Sequence, residues 1–233
     1  RVGQILDEAM RLAMEEGIDA VTVHGLAKRL DCAPGALYRY FPSKEALIAE
    51  LQVQVVEAAG RWVRRTVNLC DTALEGVGAS APSAALFRLL ALARLYRELA
   101  DEMPSQFRLM TMMITDPREL LGHESAQRAV LAATPLASIV RGVFVNATDA
   151  GALHVGDATD RALVFWSGLH GVMQMQMLRR LRHGLVDVDR LTEQFCDVTL
   201  RGWGAPTEAL VEALRLLATI DEPIPLVRAA ASS

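Results

Sequence analysis

The chain has 233 residues and a formal net charge of −4; 52% of its residues are hydrophobic and 22% are charged. This composition excludes a disordered chain, and the low aromatic content of 5% beside abundant Ala, Leu, Val and Met favours helices packed on helices. The three cysteines form no CxxC pair, which argues against a disulfide framework and a structural zinc site and indicates a reducing cytoplasm. The apolar runs carry polar interruptions and none reaches bilayer-spanning length, so no membrane contact is predicted.

The first 46 residues predict three short helices. Apolar residues at helical spacing over 4–16 indicate an amphipathic helix, which Gly17 should end in a left-handed cap. Thr22 stands where an N-cap should, before a second helix that ends at Asp31. The third helix should begin at Pro34 and end at Pro42. Two helices separated by three residues predict a helix-turn-helix unit.

The third helix combines a buried face with an unusual outer face. Leu37 and Phe41 mark its inner side, which places Tyr38 and Tyr40 about 80° to either side at 100° per residue. The outward positions are taken by Gly35, Ala36 and Arg39. A small, flat tip with a phenol on each shoulder can lie in a DNA groove while the tyrosine hydroxyls reach phosphates. The alternative is a three-helix scaffold whose aromatic rings are only core.

Local charge supports nucleic acid as the partner in spite of the negative net charge. Residues 22–44 contain four cations (Lys28, Arg29, Arg39 and Lys44) against the single acid Asp31, a net of +3, with His24 in addition. Ser43 can cap a fourth helix that begins at Lys44, and a lysine at the positive end of a helix suits a phosphate.

The stretch TVHGLAKRLDCAPGALYRYFPSKEALI, residues 22–48, resembles the DNA-binding signature of the TetR family of bacterial transcriptional regulators. The resemblance implies double-stranded DNA as a partner. It implies phosphate contacts from Thr22, Tyr38, Tyr40 and Lys44, and groove contacts from His24, Pro34, Gly35, Ala36 and Arg39. The chain departs from the usual pattern at Asp31, where Gly is common, at Ala33, where Ser or Thr commonly caps the third helix, and at His24 and Gly25. Cys32, beside this unit, is interpreted as core packing rather than a redox switch.

An all-α fold is therefore predicted, with a helix-turn-helix DNA-binding domain (1–46), a helical effector-binding and dimerisation domain (47–221) and a tail (222–233). The second domain should contain a connecting helix at about 44–76, a central group at 83–149, a terminal pair at 157–182 and 188–202, and a further helix at 206–219. The resemblance implies a homodimer formed by the terminal pair. Its apolar stripes are Trp166, Leu169, Met173 and Met177 on one helix and Leu191, Phe195 and Val198 on the other. The alternative is that these stripes fill each subunit's own core.

The effector site is predicted from apolar and adaptable side chains in the second domain. Methionine is flexible and polarisable, and adaptable pockets use it heavily. The effector, of unknown identity, is expected to be a small, moderately apolar organic molecule. The predicted lining residues are Phe107, Met110, Thr111, Met113, Phe144, Trp166, His170 and Met173. Each of them taken singly is more often ordinary core than a ligand contact.

These observations predict a ligand-responsive transcriptional repressor that binds a palindromic operator as a dimer. A helical enzyme is the main alternative from another class. The five histidines show no HExxH motif, and no Gly-rich phosphate loop or Ser-elbow motif occurs, so no catalytic residue, cofactor or metal site is predicted. A third reading is an architectural or partner-controlled DNA-binding protein without an effector.

Overall fold

The computed structural model describes residues 1–115, 123–176 and 186–220, and this part of the chain consists of helices and connecting turns. The predicted break at 116–122, the end of the first terminal helix at 177–182 and the tail at 222–233 lie outside the described residues. The helices are α1 (Val2–Glu16), α2 (Val23–Arg29), α3 (Pro34–Tyr38), α4 (Lys44–Leu74), α5 (Ala81–Glu102), α6 (Pro104–Thr115), α7 (His123–Asp149), α8 (Ala158–Gln174), α9 (Val188–Gly202) and α10 (Thr207–Ala218).

The predicted helix-turn-helix unit is present, with small differences at its ends. Thr22 caps α2 as predicted, since its hydroxyl accepts a hydrogen bond from the Gly25 N–H at 3.0 Å. Asp31, which stands where Gly is common, has a positive φ of +49°. The helix α2 ends at Arg29 rather than Asp31, and α3 ends at Tyr38 rather than Pro42.

The predicted left-handed cap at Gly17 is wrong in detail. Gly17 does end α1, and its N–H donates to the Ala13 carbonyl at 3.1 Å. Its φ of +87° is combined with ψ 161°, so the chain leaves the helix in an extended direction rather than in the left-handed helical region. The backbone then forms a short 3-10 turn over Ile18–Ala20, which delivers Thr22 to the start of α2.

One apolar core holds the first three helices, α4 and α6 together. The buried residues of α1 to α3 surround Leu37 and Phe41, each 4% exposed, so both belong to the core as predicted. The start of α4 contributes Leu51 and Val55 to the same cluster. Leu109 of α6 is fully buried there, although it lies 68 positions beyond Phe41 in the sequence. The core of the predicted helix-turn-helix domain (residues 1–46), called the head below, is therefore completed by a helix of the predicted second domain.

The chain divides into two compact units, each built from two stretches of sequence. The first unit contains Arg1–Gly60 and Met103–Leu136, and the second contains Arg61–Glu102 and Ala137–Ser233. The division cuts α4 after Gly60 and α7 after Leu136, so it does not coincide with the boundary predicted after residue 46. The boundary after residue 46 separates predicted functions and stays a prediction. The two units, in contrast, describe how the residues pack.

In the first unit, α7 packs along α4. Arg128 and Glu50 form an ion pair between the two helices. Ten residues further along α4, a Cβ placed on Gly60 would lie 3.8 Å from the Leu136 side chain. The two helices therefore run in the same direction, with the Glu50–Gly60 segment of α4 facing the start of α7.

In the second unit, α8 and α9 pack closely because α8 carries a glycine at the contact. A Cβ on Gly168 would lie 2.2 Å from the Phe195 ring, so only a residue without a side chain fits there. The predicted cap Asp157 is confirmed: its carboxylate accepts the N–H groups of Thr159 and Asp160 at 2.8 and 2.9 Å. These hydrogen bonds to the charged form lower the pKa of Asp157.

One helical segment, Gln127–Asp149, is apolar and long enough to cross a membrane by length and composition alone. The sequence analysis, which predicted no run of bilayer-spanning length, did not select this segment. Core helices of proteins in water pass the same test, but only 17% of this segment's apolar window is buried in the protomer. Val130 and Leu131 remain 57% and 65% exposed.

Candidate nucleic-acid interface and effector site

The outer face of α3 is small and accessible. Pro34 is the first residue of α3, where its missing N–H costs no helical hydrogen bond. Gly35 is exposed, and a Cβ there would meet no atom within 4 Å. Ala36 is half-buried beside it. As predicted, Ala33 leaves the start of α3 without a side-chain cap. The tip of α3 can therefore approach a groove closely, since no long side chain stands between it and a base pair.

Aromatic and basic side chains surround this tip. Tyr38 and Tyr40 are 43% and 40% exposed, which places both phenols on the surface rather than in the core. His24 and Arg39 are also exposed. The His24 and Tyr38 rings meet edge to face with their centroids 6.2 Å apart. The predicted DNA-contacting residues of α2 and α3 thus lie together on one exposed face.

Lys44 is linked to α6 through a single residue. Its ammonium group donates to the Asp19 carbonyl at 3.1 Å. The Asp19 carboxylate in turn receives the Arg108 guanidinium of α6, with the closest N–O distance at 3.2 Å. Ser105, at the start of α6, donates to the Ala13 carbonyl at 2.8 Å. A displacement of α6 would therefore act on the turn that holds Lys44.

The charge count made from the sequence needs one correction, at Arg29. Its guanidinium contacts three carboxylates of α1: Glu8 at 2.8 Å, Glu15 at 2.6 Å and Glu16 at 3.3 Å. The hydrogen bonds that Arg29 donates to Glu15 and Glu8 raise the pKa of Arg29 further. Arg29 therefore fastens α2 to α1 and adds little positive charge to the DNA-facing side. The remaining cations of this segment are Lys28, Arg39 and Lys44.

The predicted dimer residues fall on two different sides of α8. Leu169 and Met173 are each 3% exposed and pack within the second unit, which was the alternative left open. The exposed side of α8 carries Leu163 and Val164 instead, each 55% exposed. Trp166 is half-buried, and Met177 lies outside the described residues.

The predicted dimer residues of α9 are more accessible. Val198 is 63% exposed, and Leu191 and Phe195 are half-buried. Both helices of the terminal pair therefore present uncovered apolar side chains.

Four of the predicted effector residues belong to α6 in the first unit. Thr111 is 3% exposed, and its hydroxyl donates to the Phe107 carbonyl at 3.0 Å. Met110 packs against the core of the head, and Phe107 is half-buried. The side chain of Met113 lies outside the described residues. This part of the predicted site therefore adjoins the DNA-binding head directly.

The other four predicted effector residues lie in the second unit. Phe144 is 1% exposed and packs edge to face on Phe165 with the ring centroids 5.7 Å apart, as a core residue does. His170 is 9% exposed and stacks on Trp166. One His170 ring nitrogen lies 3.0 Å from the Tyr96 hydroxyl and the other 2.9 Å from the Gln174 amide. Met173 is buried on the same helix.

Burial also sets the protonation behaviour of this region. It lowers the pKa of His170 and raises the pKa of Tyr96, so both groups are neutral at physiological pH. It raises the pKa of Cys196 to about 12, which leaves that thiol unreactive. Among the described residues, no group of three or more His, Cys, Asp or Glu is arranged to hold a metal ion.

The second unit also contains an open groove of about 980 Å³ between α5, α9 and α10. Its walls include Leu90, Leu214 and the arginines Arg94 and Arg97. Arg94 pairs with Glu98 at 2.8 Å, and Arg97 pairs with Asp189 at 3.0 Å. None of the predicted effector residues lines this groove.

Gln52 on α4 is a polar residue that the sequence analysis did not select. It is 2% exposed, and its side-chain carbonyl oxygen has no hydrogen-bond partner among the residues that the structure describes. The signal was present in the sequence, because Gln52 interrupts an otherwise apolar stripe on α4. Asp19 and Arg108 were also missed, since their pairing joins positions 89 apart and no local pattern predicts it.

Comparison with known proteins identifies related regulators. The family model described as "Bacterial regulatory proteins, tetR family" matches residues 5–51, and the model described as "Tetracyclin repressor-like, C-terminal domain" matches residues 89–199. The transcriptional repressor KstR of Mycolicibacterium smegmatis is 42% identical over 70 residues, which cover 30% of this chain and 31% of that repressor. The matches to KstR repressors span less than a third of their length.

Solved structures share the fold at low sequence identity. A protein of unknown function from Rhodococcus sp. RHA1 is 21% identical with a TM-score of 0.66, over 88% of this chain and 95% of that one. The transcriptional regulator FadR from Bacillus subtilis, in complex with stearoyl-CoA, is 16% identical with a TM-score of 0.60, over 87% of this chain and 99% of that one. At these identities the likeness concerns the fold alone.

Proposed function

The chain belongs to the TetR family of bacterial regulatory proteins, and on that premise we propose that it is a ligand-responsive transcriptional repressor. It binds a palindromic operator as a homodimer in the cytoplasm, and a small, moderately apolar effector releases it. The observation that carries this proposal is the exposed outer face of α3, which is free of long side chains and bordered by Tyr38 and Tyr40. Because the family consists of regulators, no catalytic function is assigned.

In this proposal, one set of residues in the head contacts the DNA phosphates and another set contacts the bases. Hydroxyl and ammonium groups at the edge of the face contact phosphates and set the register, and residues at the tip of α3 face base edges. The phosphate contacts come from Thr22, Tyr38, Tyr40 and Lys44, and the groove contacts from His24, Pro34, Gly35, Ala36 and Arg39. Since the tip carries few polar groups, discrimination between sequences depends chiefly on His24 and Arg39 and on the fit of the backbone to the groove.

The dimer is supported by the apolar side chains that α8 and α9 leave exposed. Leu163, Val164 and Val198 are each more than half exposed in the protomer. A second copy related by a two-fold axis would cover both helices and form a four-helix bundle. Two heads held by such a bundle can read two half-sites one helical turn apart, which a palindromic operator provides.

Release by the effector is proposed to be a population shift. A ligand that prefers the conformation with low DNA affinity weakens operator binding by that preference alone. The contacts of α6 with Ala13 and Asp19 give such a ligand a route to Lys44. KstR is named a repressor, which supports repression, and the stearoyl-CoA bound to FadR makes acyl-CoA thioesters the first effectors to test.

The experiment that tests the proposal is selection of binding sites from random duplex DNA by the purified protein, followed by a salt series on the best sequence. We expect a palindrome to be enriched and its affinity to fall steeply as salt rises, because phosphate contacts release counterions. Binding without an enriched sequence would instead indicate an architectural DNA-binding protein. Absence of binding by a folded dimer, with no small molecule found after denaturation, would contradict the proposal.

A further inference from the structure

Two buried polar atoms lack a hydrogen-bond partner in the part of the chain that the structure describes. They are Oε1 of Gln52 and Oγ1 of Thr66, and both residues belong to α4. Buried polar groups in folded proteins are nearly always paired, because an orphan loses its hydrogen bonds to water and gains none in return. Each of these two atoms therefore needs either a ligand or an ordered water.

The surroundings of Gln52 favour an organic ligand over an ordered water as the hydrogen-bond partner of its carbonyl oxygen. Gln52 lies within a stripe of buried apolar residues of α4 that includes Leu51, Val55 and Val56. An apolar side chain of the same size would fill this position without an orphan atom. Gln52 also lies on α4 between the two points where this helix contacts α7, at Glu50 and at Gly60. The polar group is thus held inside the first unit.

We propose that Gln52 is the polar recognition residue of the effector site, and that the effector is an apolar molecule carrying a hydroxyl or N–H donor. This inference rests on the proposed function and adds the chemical class of the effector. The Gln52 carbonyl oxygen accepts hydrogen bonds and donates none, so it selects a donor on the ligand. Met110 of α6 packs against the same apolar core as Leu51 and Val55, the neighbours of Gln52 on α4, and supplies apolar surface for the rest of the molecule.

This position also gives the effector a short route to the head. Leu51 precedes Gln52 directly, Val55 follows within one turn, and both side chains belong to the core that holds Leu37 and Phe41 of the head. A ligand that seats against Gln52 displaces a segment of α4 whose neighbouring side chains on the same face belong to the core of the head. DNA release then requires no signal from the second unit.

The unpaired hydroxyl oxygen of Thr66 has a simpler explanation than a ligand, and Thr66 therefore serves as a matched control for Gln52. It lies in the second unit beside a void of about 20 Å³, bordered by apolar groups such as Leu69 and Ala91. A space of this size holds at most a single water molecule. Thr66→Val therefore removes a buried orphan from the same helix without touching the proposed site.

The test uses two probes of equal heavy-atom number, 1-octanol and 1-methoxyheptane, of which only the alcohol has a donor. Probe binding is followed by the thermal unfolding midpoint and by release from the selected operator. We expect wild type to bind the alcohol about tenfold more tightly than the ether. Gln52→Leu should abolish this preference and unfold at a higher temperature than wild type without probe, since it removes an orphan. Thr66→Val should keep the preference.

Each other result overturns the assignment. An equal response of wild type to both probes, or no response to either, excludes a donor-selective site at Gln52. A preference for the alcohol that survives in Gln52→Leu places the site elsewhere. A lower unfolding temperature of Gln52→Leu indicates that the glutamine is a satisfied structural residue. Operator binding by wild type without probe is scored separately, so failure of the proposed function is distinguished from failure of this inference.

Discussion

At the scale of single residues, Lys44 is a proposed phosphate contact whose ammonium group is already held in place within the protomer. The Asp19 carbonyl holds its ammonium group at 3.1 Å beside the start of α4, where the helix dipole favours an anion. We expect Lys44→Gln to weaken operator binding and to reduce the slope of log affinity against log salt by about two for the dimer, one phosphate contact per subunit. The measurement is operator affinity across a salt series.

Arg29→Gln is the matched control for Lys44. Arg29 lies in the same head and has the same charge, but three carboxylates of α1 surround it. Its removal should lower the stability of the head and leave the salt slope of operator binding unchanged. A reduced salt slope in the Arg29 variant, or the wild-type salt slope in the Lys44 variant, would contradict the assignment of Lys44 as a phosphate contact and of Arg29 as a structural residue.

His170 makes stability depend on pH in a defined direction. Burial lowers its pKa from the ordinary value of 6.5, so the unfolded chain takes up a proton at a higher pH than the folded chain does. Stability is therefore fully present above the unfolded pKa and declines as pH falls through it towards the lower folded pKa. We expect His170→Gln to flatten this decline, measured as the unfolding midpoint in urea at each pH. An unchanged decline would show that other groups cause it.

The prediction of single residues from the sequence worked where local spacing decides the answer. Leu37 is buried and Tyr38 exposed, as the helical spacing of α3 predicts. Tyr40 and Phe41 follow the end of α3, but the Phe41 N–H still donates to the Leu37 carbonyl at 2.9 Å, so the helical spacing extends to them. The assignment of Arg29 to the DNA-facing charge failed because α1 folds back against α2, and no count of charges along the chain contains that contact. Which predicted DNA contacts are made stays a prediction.

At the scale of elements, Gly168 decides how closely α8 and α9 approach. A Cβ there would lie 2.2 Å from Cε2 and 2.3 Å from Cζ of Phe195. We expect Gly168→Ala to lower the free energy of unfolding by about 1–3 kcal/mol, because the ring must leave its place in the core. Urea denaturation followed by circular dichroism measures this change.

Gly142→Ala is the control for Gly168. Gly142 also lies inside a helix, α7, but a Cβ there meets no atom within 4 Å. Alanine should therefore stabilise the helix by about 0.5–1 kcal/mol through its higher helix propensity. Equal effects of the two substitutions would mean that Gly168 carries no special packing role.

Helices were predicted well because periodicity and caps are local. Thr22, Ser43 and Asp157 each cap the helix they were assigned to. The burial of α8 could not be predicted in the same way, because apolar residues occur on both of its faces. Leu169 and Met173 face the interior, whereas Leu163 and Val164 are exposed, and the sequence does not distinguish the two stripes.

At the scale of the whole molecule, the exposed apolar side chains of α8 and α9 predict association. We expect Val198→Glu to weaken dimerisation by about 100-fold or more, because a carboxylate would be buried at the interface without a partner. Sedimentation velocity of the variant across protein concentrations measures this. Val155→Glu is the control, since Val155 is 95% exposed outside the terminal pair and should leave the dimer intact. A dimeric Val198→Glu variant would contradict the proposed interface.

Leu109 has a consequence for anyone who would exchange DNA-binding heads between regulators. The head resembles a self-contained module when only its sequence is considered, and residue 46 is then the natural place to join two proteins. Yet its core contains Leu109, and Ser105 and Arg108 fasten the same helix to Ala13 and Asp19. A chimaera joined at residue 46 would pair this head with a foreign helix in place of α6. We expect a functional chimaera only when residues around 103–112 are exchanged together with the head. The residues needed to transfer DNA specificity are therefore encoded in two separate segments of the gene.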